Sequence, residues 1–126
     1  MNIKQLDHLV LTVASIEASC QFYHDILGME VIEFGAGRKA LKFGKQKFNL
    51  HQAGNEFEPR ARYPTPGSSD ICLISDTPLE QIISELNQHN IRIEEGPVTR
   101  TGATGKLNSI YIRDPDNNLI EIANSV

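Results

Sequence analysis

The chain has 126 residues, 22% of them charged and 40% apolar, and its 12 basic and 16 acidic side chains leave a formal net charge of −4. That length holds one domain or two very small units sharing a core, and the composition is that of a globular protein. The acidic balance excludes non-specific nucleic-acid binding, no apolar run is long enough to cross a bilayer, and Cys20 and Cys72 alone make neither a disulfide scaffold nor a thiolate zinc site. No signal-peptide pattern opens the sequence, so the expected setting is a reducing cytoplasm, with no nucleic-acid or membrane partner.

Leu6 to Val13 is rich in β-branched and aliphatic residues and predicts a strand, with His8 sharing a face with Leu6, Val10 and Thr12. Ser15 is a good N-cap for a helix whose apolar positions are Ile16, Cys20, Tyr23 and Leu27, and Gly28 ends it. Three short strands follow, Met29 to Phe34, Lys39 to Phe43 and Lys47 to Gln52. Ala53 to Ser69 holds Gly54, Pro59, Pro64, Pro66 and Gly67 without periodicity, which predicts a linker or long crossover.

Asp70 to Ser75 reads as the next strand, and Thr77-Pro78-Leu79-Glu80 as a capping box. Leu79, Ile82, Ile83 and Leu86 make one helical stripe, and Asn90 can close that helix in the left-handed conformation. Ile91 to Glu94 is strand-like, Gly96 to Gly105 reads as a loop carrying Arg100, and Leu107 to Arg113 as a strand. Asp114-Pro115-Asp116-Asn117-Asn118 is strong turn chemistry ahead of a last strand that holds Glu121 among apolar residues. A carboxylate there is expensive to bury unless a cation or donors meet it.

The two halves match. His8 precedes the cap Ser15 by seven residues, as Asp70 precedes Thr77, and thirteen residues separate Ser15 from Gly28 and Thr77 from Asn90. Three landmarks thus repeat at one offset of 62 residues, each half reading strand, helix, three strands. The expectation is an α+β protein of two tandem βαβββ modules, their sheets forming a curved mixed surface around a central site with the helices outside. One domain, 1–126, would divide into module one (1–53), a linker (54–69) and module two (70–126). Asp70 takes the place of His8, and the final strands are expected to pair His51 with Glu121, at the cost of about eight extra residues between Pro97 and Lys106.

Convergence of His8, His51, Asp70 and Glu121 would make a mixed nitrogen and oxygen site for one divalent cation, zinc, nickel, iron or manganese. Arg38, Arg60, Arg62 and Arg100 are candidates to clamp an anionic substrate. Arg100 leads because its glycine-rich loop is the insert that breaks the repeat. Tyr63 and Tyr111 read as core or pocket-lining residues, and Cys72 alternates onto the face of Asp70.

The opening Leu6-Asp7-His8-Leu9-Val10-Leu11-Thr12-Val13, then Phe22-Tyr23 through Leu27-Gly28-Met29, and the closing Arg113-Asp114-Pro115-Asp116-Asn117-Asn118-Leu119-Ile120-Glu121 together resemble the vicinal-oxygen-chelate superfamily, the glyoxalase, fosfomycin-resistance and extradiol-dioxygenase group. The resemblance spans the chain and is closer to small glyoxalase-domain proteins carrying a loop like Gly96-Pro97-Val98-Thr99-Arg100-Thr101-Gly102-Ala103. It implies metal ligands at His8, His51, Asp70 and Glu121. Asp70 stands where the family commonly has a longer side chain, which leaves it a ligand, a ligand through water, or an orienting group. It also implies a homodimer and a metal-dependent, lactoylglutathione-lyase-like lyase or isomerase. The substrate class would be a small α-dicarbonyl derivative, a thiol adduct among the candidates, with Glu121 as ligand and base. The alternatives are a ferrous extradiol-type dioxygenase and a binding module that sequesters a ligand without turnover.

Overall fold

A computed structural model describes all residues, Met1–Val126. The element order is β1 (His8–Val13), α1 (Ile16–Asp25), β2 (Glu30–Phe34), β3 (Arg38–Phe43), β4 (Gln46–Gln52), β5 (Asp70–Ile74), α2 (Leu79–Gln88), β6 (Glu95–Thr101), β7 (Lys106–Arg113) and β8 (Leu119–Ser125). It is the expected α+β arrangement of two βαβββ modules. The chain divides into two compact units, Met1–Pro66 and Gly67–Val126, a boundary that falls inside the expected linker.

In the first unit the strand order is β1-β4-β3-β2, with β1 parallel to β4 and the other pairs antiparallel. The parallel pair needs a crossover, which α1 and the β2–β3 hairpin supply. Ser15 starts α1 as expected, its Oγ accepting the Ala18 N–H at 3.1 Å. Gly28 at φ 71° ends the helix, with the Met29 N–H reaching back to the Tyr23 carbonyl at 3.0 Å. Tyr23 is fully buried and meets Phe48 of β4 edge to face at 6.0 Å, so α1 covers the face that carries Leu11, Leu41, Phe48 and Leu50.

The second unit repeats the order as β5-β8-β7-β6, again with its first and last strands parallel. Its core is Leu79, Ile82 and Leu86 of α2 together with Ile110, Ile112, Ile120 and Ile122.

Four expectations change. Pro78, not Thr77, is the residue before α2, and no side chain of the Thr77–Glu80 box caps it. Asn124 of β8 does that work, its Oδ1 accepting the Leu79 N–H at 2.8 Å while its Nδ2 donates to the carbonyls of Ser75 and Thr77. Ile91 to Glu94 is not a strand, and the expected loop is largely β6, so Arg100 sits on a strand. Pro97 is tolerated because β6 is an edge strand and its register shifts between Glu95 and Val98, a bulge that leaves Pro97 outside the ladder. Tyr63 is 81% exposed rather than packed.

Candidate functional site

Within the second unit, the turn at Asp114 aims β8. The Asp114 carboxylate accepts the N–H groups of Asp116 and Asn118, both at 2.9 Å, and the Asn118 amide at 2.8 Å. Asn118 in turn takes the Ser69 N–H at 2.8 Å, which ties the start of β5 to the start of β8. Gly67 lies so close to this turn that a Cβ there would collide with the Asp116 carbonyl oxygen. The closure fixes the register in which Cys72 lies beside Glu121 and Tyr111 lies opposite it.

Glu121 is half-buried and surrounded by donors. The Ser109 hydroxyl donates to its Oε2 at 2.6 Å. The Cys72 thiol and Tyr111 hydroxyl also engage this carboxylate; burial first, then the Glu121 charge, pushes the Cys72 thiol up to about 11. Tyr111 is raised by burial as well, opposed by Arg100, whose Nε donates to the Tyr111 oxygen at 2.9 Å. The remaining Arg100 donors go to the Thr99 carbonyl and Glu95 at 3.3 and 3.2 Å. Arg100 thus positions Tyr111 instead of offering an empty guanidinium. Asp70 is exposed on the same face, two residues before Cys72, and at strand spacings its Cα lies about 8 Å from that of Glu121.

In the first unit His8 is exposed, and its Nδ1 is held by the Asp7 carboxylate at 2.8 Å, which leaves Nε2 pointing away from that partner. His51 is 3% exposed on β4, and its Nε2 is buried without a hydrogen-bond partner. Burial and the nearby Arg38 guanidinium lower its pKa, with Glu56 pulling weakly the other way.

The register separates these two histidines. His51 pairs with Thr12, four residues beyond His8 on the neighbouring strand. At about 3.3 Å per residue and one strand spacing, their Cα atoms lie about 14 Å apart, too far for two imidazoles to share one ion from adjacent strands. The counterpart of Glu121, which lies beside the residue two beyond Asp70, is Asn49, which lies beside Val10, two beyond His8. The expected pairing of His51 with Glu121 is thus displaced by one pleat, because sequence spacing does not fix the register of a parallel pair. Nowhere in the structure do three or more His, Cys, Asp or Glu side chains form a group able to hold a metal ion. His8 and His51 belong to the first unit, Asp70, Glu121 and Arg100 to the second.

Residues 5–122 match the family model of the Glyoxalase/Bleomycin resistance protein/Dioxygenase superfamily. The chain belongs to this superfamily. It is 56% identical to the virulence protein STM3117 of Salmonella typhimurium over 126 residues, all of this chain and 88% of that one. The crystal structure of that relative superposes with a TM-score of 0.98 over the whole of both chains. A glyoxalase domain-containing protein of Mycosarcoma maydis, RDO1, is 51% identical over 98% of this chain and 69% of its own. The lactoylglutathione lyase of Agrobacterium tumefaciens shares the fold, with a TM-score of 0.74 at 22% identity over 98% of this chain and 95% of that one.

Sequence reasoning singled out His8 and Glu121, and named Arg38 among four candidate anion clamps while backing Arg100. It passed over Ser109, whose one signal was a hydroxyl at a fully buried position of β7, and gave Asn49 no role of its own.

Proposed function

We propose that the protein is a metal-dependent glyoxalase-type lyase or isomerase acting on a small α-dicarbonyl-derived substrate. The residues assigned to the cation are His8 and Glu121, with Asp70 binding directly or through water. The observation that carries this reading is Glu121: a carboxylate in an apolar strand, its orientation set by Ser109, Tyr111 and Cys72. The donor types, one imidazole and two carboxylates, are nitrogen and oxygen ligands of the kind a divalent cation takes. His8 is pre-oriented in the way ligating histidines commonly are, with a carboxylate on the nitrogen that does not bind.

A divalent cation held by these residues would supply Lewis-acid stabilisation to negative charge developing on the substrate. The chain's own residues do the proton work. Glu121 accepts the proton α to the carbonyl, Ser109 orients its Oε2, and Arg100 fixes the Tyr111 hydroxyl that also donates to this carboxylate. We read the protein as a homodimer. The first unit supports this with apolar residues left exposed at the β1 edge, Leu6 at 57%, Leu9 at 36% and Val10 at 42%.

The test is turnover of α-ketoaldehyde–thiol adducts, against catechols as the competing class, by metal-loaded wild type and Glu121→Gln. The substitution keeps size and removes the charge and basicity. The expected outcome is turnover of the adduct by wild type and its collapse in the variant even when excess metal restores occupancy. Equal rates in the two proteins sink the base assignment, and catechol cleavage in place of adduct turnover sinks the reaction class.

A further inference from the structure

The face of the first sheet opposite α1 gathers polar groups that nothing in the fold satisfies. Asn49 lies opposite Ala40 in the antiparallel ladder, so Arg38, two residues before Ala40, and His51, two after Asn49, face each other across β3 and β4. Arg38 Nε, Asn49 Oδ1 and His51 Nε2 are all buried without a hydrogen-bond partner, although Asn49 and His51 are only 6% and 3% exposed. Arg38 makes no ion pair.

Its guanidinium instead lies against two aromatic rings, with Cζ 4.6 Å from the Phe57 centroid and 5.0 Å from that of Phe34. A cation–π contact of this kind uses none of the guanidinium N–H donors. Phe57 comes from the irregular segment after β4 and also meets the His51 ring, centroids 5.6 Å apart, so one residue frames both groups. A second cation, Lys47, stands at the rim with Nζ 3.9 Å from the Phe34 ring. Buried polar groups are almost always paired, and three unpaired ones on one cation-bearing patch is the arrangement a ligand completes. Arg100 makes the contrast, with its donors consumed by Tyr111, Thr99 and Glu95.

We propose that Arg38, Asn49 and His51, framed by Phe34 and Phe57, form an oxyanion pocket that receives a carboxylate or phosphonate group of a small-molecule ligand. Arg38 donates two parallel hydrogen bonds to the anion, the neutral His51 ring donates one from Nε2–H, and the Asn49 amide can turn its Nδ2–H inward. The pocket lies within one unit and does not depend on the metal reading.

The experiment titrates metal-stripped full-length protein with methylphosphonate, propionate and, as the uncharged control, isopropanol, following the His51 ring and Phe57 resonances by NMR. Saturable shifts with the anions and none with the alcohol are expected, and the tighter of the two anions identifies the group preferred. Arg38→Gln should weaken binding at least roughly tenfold, because a charge-assisted pair is lost, and Arg38→Lys, which keeps the charge but not the fork, several-fold. Glu121→Gln should bind the anions as wild type does, so failure here and failure of the metal reading are distinguishable. Equal binding by wild type and Arg38→Gln, or shifts at surface lysines without His51, an adventitious ion only, overturns the proposal.

Discussion

His51 ties the first unit's stability to pH. Its folded pKa lies below its ordinary value of 6.5, first through burial and then through Arg38. The unfolded chain therefore binds this proton more readily than the folded one, so stability is complete above 6.5 and declines as pH falls from there toward the folded pKa. Urea unfolding between pH 7.5 and 5.5 should show a falling midpoint in wild type and a flatter dependence in His51→Gln, which cannot titrate. An unchanged slope in the variant contradicts the assignment. The same residue marks the limit of reading the site from sequence. Residue type and strand face singled out His8, His51 and Glu121 because alternation is a local property. Which pleat of β4 lies beside which pleat of β1 is set by the crossover between them, and a shift of two residues moved Asn49 into the place expected for His51. Arg38 is similar: its type was visible, but its setting depends on Phe57 arriving from the segment after β4.

Among the elements, helix starts divide by whether the cap is local. Ser15 and the Ala18 N–H are three residues apart, and the sequence announced them. Thr77 offered the same signal and does not cap, because Asn124 arrives from the final strand, 45 residues away in sequence from Leu79, and takes the first helical N–H. Asn124→Ala should cost about 1–3 kcal/mol, since it removes the α2 cap and strands the Ser75 and Thr77 carbonyls. Thr77→Ala should stay within about 0.5 kcal/mol in the same urea titration. The reverse order would restore the capping box. β6 was hidden for a related reason. Glycine and proline at 96 and 97 read as loop residues, yet an edge strand carrying a bulge accommodates both.

At the scale of the molecule, the duplication was legible because each unit repeats its first strand, its helix and the left-handed residue after it, Gly28 or Asn90, at one spacing, and the two sheets share one strand order. Assembly was less so, since it depends on surfaces, not periodicity. The dimer reading predicts a light-scattering mass of twice the chain's 14.0 kDa at working concentration, and a mass near one chain counts against it. The central claim is the bound cation, and calorimetric titration of stripped protein with manganese and zinc tests it most directly. Wild type should bind one ion per chain, at a hundredfold excess over Kd gaining roughly 2.7 kcal/mol of stability. Asp70→Asn should lose about ten- to a hundredfold in affinity, while His8→Ala and Glu121→Gln, one from each unit, should each lose at least as much. Binding of neither ion by wild type, or undiminished binding by both His8→Ala and Glu121→Gln, would contradict the account.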